Sequence, residues 1–138
     1  MFLADTNVIS ETRREERANE GVRAFFDGAQ QRGEVVFLSV VTVGELRRGV
    51  ESLRNKGDVR QAAIVEAWLK RVLRSYQGKI VPVDRAIGEL WGRIRARHPE
   101  PAVDRLIAAT ALARNLTVVT RNVRDFERVG VKMLNPFE

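Results

Sequence analysis

The chain has 138 residues, 44% of them hydrophobic and 30% charged, a size and balance that suit one soluble domain built around one core. It has no cysteine, which excludes disulfides, thiolate zinc sites and a cysteine nucleophile; its one histidine, His98, reads as a surface residue before Pro99 and leaves a Ser-His-Asp triad little to work with. The net charge of +6 and a pI near 10.7 favour a polyanionic partner, because arginines that neutralise phosphates release condensed counterions.

Met1 to Ala4 reads as a short strand closed by Asp5. The chain reaches Asp5 before a basic and apolar leader can form, and no apolar stretch approaches the roughly eighteen residues that cross a bilayer, so a soluble, cytoplasmic protein is expected. A basic group at Arg13, Arg14 and Arg17 follows, and then a helix over about Glu20 to Gln31, with Val22, Phe25 and Phe26 at helical spacing. Val35 to Ser39 is a second strand, and the segment from about Thr42 to Leu53 a helix carrying Glu45. After the turn at Asn55-Lys56-Gly57, Asp58 caps a helix whose Val65, Trp68, Leu69, Val72, Leu73 and Tyr76 form an i, i+3, i+4 stripe. That stripe reads as core, with no cofactor role for Trp68.

Gly78 ends the helix, Lys79 to Val83 reads as a strand, and Asp84 caps a helix bearing Ile87, Leu90, Trp91 and Ile94. Pro101 suits the first helical position of the next segment, which is apolar nearly all round from Leu106 to Ala113 and is therefore expected to be central. Leu116 to Thr120 is a further buried strand and Val131 to Leu134 a final short one. Strands separated by helices imply βαβ crossovers and a mainly parallel sheet of about four to five strands with helices on both faces, an α/β class. No repeat, linker or low-complexity tract interrupts it, so residues 1–138 are expected to be a single domain.

Four acids then stand out by position. Asp5 closes the first apolar run, Glu45 follows the second strand, Asp104 lies just after Pro99-Glu100-Pro101, and Asp125 follows Leu116 to Thr120. In an open α/β sheet the carboxyl ends of the parallel strands, where these connections begin, are where ligands bind. Any one of these acids could equally be a helix cap, because first turns favour negative charge. Their joint placement points to a site. Gathered together, two such carboxylates about 4 Å apart repel by about 4 kcal/mol at an effective dielectric near 20, a cost that a cation removes. Without cysteine and with one histidine, the ligands are oxygens, which points to Mg²⁺ or Mn²⁺ rather than zinc.

The basic residues are spread out, with further groups at Arg47 and Arg48, at Arg54 and Lys56, and at Arg93, Arg95 and Arg97. Arg48 is the most specific candidate for a substrate phosphate, since it lies on the helical face of Glu45; the alternative is an ordinary helical ion pair. A phosphotransfer enzyme or receiver domain also places an Asp after its first strand. The phosphatase pattern requires a second Asp where this chain has Asn7, and a receiver requires a lysine where it has Arg121.

The segments Asp5-Thr6-Asn7-Val8-Ile9-Ser10-Glu11, Leu38 to Leu46, Asp104-Arg105-Leu106-Ile107-Ala108-Ala109-Thr110-Ala111 and Val119 to Phe126 together resemble the four signatures of PIN-domain nucleases, and most closely the VapC and FitB toxins of bacterial toxin-antitoxin modules. The resemblance spans the chain. It implies a single PIN-like α/β/α sandwich and an endoribonuclease in which water activated by Mg²⁺ or Mn²⁺ hydrolyses RNA, leaving a 3′-hydroxyl and a 5′-phosphate. It assigns Asp5, Glu45 and Asp104 as the principal acids and Asp125 as a more variable fourth, with the metal on Asp5 and Asp104 and with Glu45 and Asp125 binding directly or through water. By the same likeness Asn7 supports the first acid, while Thr120 and Asn122 orient the last acid or its water. It further implies a homodimer and a small DNA-binding antitoxin of the VapB or FitA kind, with operator DNA met only through that antitoxin; the alternative is a non-catalytic protein on this fold, acting through such complexes. Two positions depart from the pattern. Arg105 stands where a small or apolar residue is expected, and the charged Arg13 to Arg17 stretch replaces a proline-containing one. Neither is expected to touch an acid, so both bear on substrate and partner contacts rather than on chemistry.

Overall fold

The computed structural model describes all 138 residues. Five strands, β1 (Phe2–Ala4), β2 (Val36–Ser39), β3 (Ile80–Val81), β4 (Thr117–Val119) and β5 (Met133–Leu134), form a sheet of order β3-β2-β1-β4-β5 in which every pairing is parallel. Seven helices connect and cover it: α1 (Thr6–Thr12), α2 (Glu20–Gln31), α3 (Val40–Asn55), α4 (Val59–Ser75), α5 (Arg85–Arg97), α6 (Ala102–Arg114) and α7 (Val123–Glu127). No helix is long and apolar enough to cross a membrane.

Alternation along each strand decides which layer a side chain enters. Ala4, Leu38 and Val119 pack into one layer with Val8, Val22, Phe25, Val50 and Leu69 from α1 to α4, while Leu3 and Val118 enter the other with Ile107 and Ala108 of α6 and Phe126 of α7. Val81, Ile87 and Ala109 extend that second layer beneath α5. Trp68 is buried in the first layer with its stripe. The α6 helix is the most enclosed, with every residue from Ile107 to Ala111 buried, as its all-round apolar pattern predicts.

Several boundaries move. Strand pairing is narrower than the apolar runs, which leaves Lys79, Pro82 and Val83 outside β3 and Leu116 and Thr120 outside β4. Pro101 caps α6 instead of opening it: its backbone is extended, and Glu100 accepts the Ala102 N–H at 2.9 Å. The short helices α1 and α7 are not among the predicted elements. Both lie immediately beyond strand ends, and both matter for the site.

The sheet grows outward from β1 in two directions, to β2 and β3 on one side and to β4 and β5 on the other. The chain thus reverses its strand order beside β1, which opens a crevice between the carboxyl ends of β1 and β4.

Candidate active site

Asp5 is the first residue beyond β1 and caps α1, with its Oδ1 accepting the Thr6 N–H at 2.8 Å. Pairing of Ala4 with Val119 in the β1–β4 register brings Thr120, the first residue beyond β4, alongside it. The Thr120 hydroxyl donates to Asp5 Oδ2 at 2.8 Å and itself accepts from the Asn122 N–H at 3.0 Å. Asn7 completes this link, since its side-chain amide donates to Asp5 Oδ2 at 3.3 Å and its Oδ1 accepts the Arg121 N–H at 3.2 Å. Asp5 is buried, 3% exposed, and held by donors from both of its neighbouring connections. Thr120 therefore orients the first acid and not the last, and Asn122 reaches the site through its backbone.

The other acids arrive from helices. Glu45 lies in the second turn of α3 and accepts from the Thr6 hydroxyl at 2.6 Å, and that Thr6 hydroxyl lies 3.3 Å from the buried Thr42 hydroxyl. Because α6 runs back toward the start of β4, its first turn, with Asp104, stands at the carboxyl edge of the sheet. Asp125 lies in the first turn of α7, close enough to Asp104 for its carboxyl to raise the pKa of that group.

Burial, and after it mutual repulsion, shows in the titration of Asp5 and Asp104. Asp104 is raised from 3.8 to about 7, by burial first and then by the charge of Asp5, by the adjacent Asp125 carboxyl and its charge, and by the charge of Glu45. Asp5 is also raised, again chiefly by burial, with Thr120 and the Thr6 N–H opposing the shift and Glu45 and Asp125 adding to it. All four acids thus share one field. None of them belongs to any of the chain's nine ion pairs. No three of them form a ready-made metal cage either. The donor set nevertheless fits a hard divalent cation: it is carboxylate oxygen throughout, and it carries repulsion that such an ion relieves. Such an ion would have to displace the proton that Asp104 holds below about pH 7.

Arg48 is exposed on α3 and lines a cleft of about 390 Å³ with Glu51, Ser52, Asn55 and Lys56, free of any ion pair. Its neighbour Arg47 is instead bound to Glu66 and Glu51. Sequence reading missed Thr6, whose N–H holds Asp5 and whose hydroxyl holds Glu45. Its only signal was adjacency to Asp5 in Asp5-Thr6-Asn7. It also misplaced Arg105, which touches an acid's backbone: its guanidinium donates to the carbonyl of Asp125.

The PIN domain family model matches residues 2–132, nearly the whole chain, including all four acids. The chain belongs to the PIN domain family. Among PIN-domain relatives, it is 37% identical over 142 residues to the toxin FitB of Neisseria gonorrhoeae, covering 99% of each chain. It is 32% identical over 143 residues to the VapC ribonuclease Y4jK of Sinorhizobium fredii, covering 100% of this chain and 99% of that one. The crystal structure of FitAcB from Neisseria gonorrhoeae contains a chain of the same fold, with a TM-score of 0.83 and 35% identity over 100% of this chain and 99% of that one.

Proposed function

We infer that this PIN domain is a metal-dependent endoribonuclease serving as the toxin of a bacterial toxin-antitoxin module in the cytoplasm. The observation that carries the reading is the convergence of Asp5, Glu45, Asp104 and Asp125, from four separate connections, on one uncompensated anionic field at the switch point of the sheet. Full-length similarity to a VapC ribonuclease and to the toxin FitB supports the substrate class and the biological role.

Asp5 and Asp104 would hold Mg²⁺ or Mn²⁺, with Glu45 and Asp125 binding directly or through water. Such an ion, when bound, lowers the pKa of its water toward neutrality and offsets negative charge on the phosphoryl oxygens. The chain's own contribution is orientation. Thr120, Asn7 and the Thr6 N–H fix both oxygens of Asp5, so this carboxylate meets its ligand without reorganising, and Thr6 fixes Glu45 beside it. Asp104 loses its proton near neutral pH, which couples loading of the site to pH. Arg48, exposed and unpaired, supplies a contact for substrate phosphate. A small DNA-binding antitoxin, operator DNA met through it, and a homodimer complete the reading.

The test is RNA cleavage by the wild type, Asp5→Asn and Asp104→Asn, with Mg²⁺, Mn²⁺ or chelator, and with product ends analysed. Cleavage by the metal-loaded wild type alone, at least about 100-fold above each variant, is expected for loss of a ligand acid. Cleavage in chelator, or by either variant at the wild-type rate, overturns the reading.

A further inference from the structure

We propose that Arg105 is a positioning residue that holds Asp125 against Asp104, so that the fourth acid owes its place in the cluster to a buried cation on α6. This rests on the nuclease reading above and extends it to a residue that contacts neither metal nor substrate. Arg105 is 3% exposed, an unusual fate for a guanidinium, and it has no carboxylate partner. It is satisfied entirely by backbone carbonyls. Its Nε donates to His98 O at 3.0 Å, one terminal nitrogen donates to Glu100 O at 2.9 Å, and the other donates to Asp125 O.

Those three carbonyls belong to two segments outside the strands and long helices, and Arg105 is the side chain that bonds to both. His98 and Glu100 lie in the connection between α5 and α6, and Asp125 lies in α7, only five residues long. A planar cation with five donors in a rigid fork can clamp both at once; lysine, with a single point charge, cannot. Since Arg105 follows Asp104 directly, the clamp fixes the main chain of Asp125 relative to Asp104. The bond goes to the main chain of Asp125 and leaves its carboxylate free to face the cluster. The cleft of about 380 Å³ beside it is lined only by polar residues, Glu100, Arg105, Arg124, Asp125, Glu127 and Arg128, while the neighbouring Phe126 anchors α7 in the core, so the clamp acts on the polar side of α7 that carries Asp125.

The experiment compares wild type, Arg105→Met, Arg105→Lys, Asp125→Asn and the Arg105→Met/Asp125→Asn double variant. Amide exchange is followed with Mn²⁺ affinity by calorimetry and with kcat and KM for RNA. In Arg105→Met, faster exchange is expected across residues 98–101 and 123–129 while β1, β2 and β4 keep their protection. Mn²⁺ affinity and kcat are expected to fall about 10- to 100-fold with KM nearly unchanged, the usual consequence of losing a group that orients a metal ligand. Arg105→Lys should fall between, and keeps the test open should Arg105→Met not fold. In the Asp125→Asn background Arg105→Met should add little, because the two changes remove the same function. Unchanged exchange at 123–129, or losses that add in full, overturns the proposal. A wild type that neither binds Mn²⁺ nor cleaves RNA overturns the nuclease reading instead, and the exchange measurement then decides the clamp alone.

Discussion

Asp104 shows how one residue ties stability to function. Its carboxyl is raised from 3.8 to about 7 in the folded chain, so between those values the native state holds a proton that the unfolded state has released. Stability from this group is therefore greatest at low pH and declines as pH rises through about 7, the reverse of a carboxylate in an ion pair. Asp5, also raised, acts in the same direction. Denaturant titration of metal-free protein at about pH 5 and about pH 8 should show the wild type losing more stability across that interval than Asp104→Asn, with the variant equal or more stable at the higher pH. A variant that loses as much as the wild type would show that Asp104 does not carry the repulsion. On the nuclease reading a metal competes with the same proton, so the affinity of the wild type for Mn²⁺ should rise as pH increases through about 7. On that reading the strain and the chemistry reside in the same carboxyl.

At the scale of elements, the site is closed by contacts that join distant segments. The carboxyl-terminal residues lie across the start of α2: a Cβ added at Gly21 would fall 1.9 Å from the Pro136 carbonyl oxygen, and Phe137 packs on the first core layer. The Phe137 ring sits 3.8 Å from the Arg121 guanidinium, whose backbone N–H binds Asn7. Gly21→Ala must displace this strap, and overpacking of that kind costs about 1–3 kcal/mol, more than the roughly 1 kcal/mol that alanine gains over glycine in a helix. Gly92 in α5 has nothing within 4 Å of its added Cβ, so the same substitution there should stabilise by up to about 1 kcal/mol. Thermal melts of the two variants should move in opposite directions; a stabilised Gly21→Ala would remove the strap from the account. Such contacts also mark where sequence reading stops. The long helices and the order of strands were legible because stripes such as Val65, Trp68, Leu69 and Val72 and runs such as Val118-Val119 have periods that only one kind of element satisfies. α1 buries only Val8 and Ile9 and α7 only Phe126, too few positions to display a period. Asp5, Glu45 and Asp125 were legible by their places after strands and Asp104 by its place in a first turn, but Thr6 and Arg105 act through partners that no spacing reveals.

Across the whole molecule the charge is unevenly compensated. The chain carries a net +6, yet its ion pairs bind Glu11, Glu34, Glu51, Glu66, Asp84, Glu89 and Glu100 and leave every acid of the site alone. The chain has arginines to spare and places none on these four carboxylates, so a neutralising cation other than a proton would have to come from outside. In the nuclease reading it is Mg²⁺ or Mn²⁺. An antitoxin can supply the other kind: an arginine or lysine from its carboxyl-terminal segment, seated among Asp5, Glu45, Asp104 and Asp125, would gain charge-assisted hydrogen bonds and relieve the same repulsion. Both occupants then draw on one source of binding energy and exclude each other, so inhibition should be competitive with metal. Calorimetric titration of Mn²⁺ into the free protein and into its antitoxin complex should show affinity at least about tenfold weaker in the complex, equivalent to about 1.4 kcal/mol of coupling between the two ligands. The coupling is reciprocal, so saturating Mn²⁺ should weaken antitoxin binding by the same factor. Equal Mn²⁺ affinity in both states, even in a tight complex, would mean that the antitoxin neutralises the toxin elsewhere on its surface and that the unpaired acids are reserved for the metal alone.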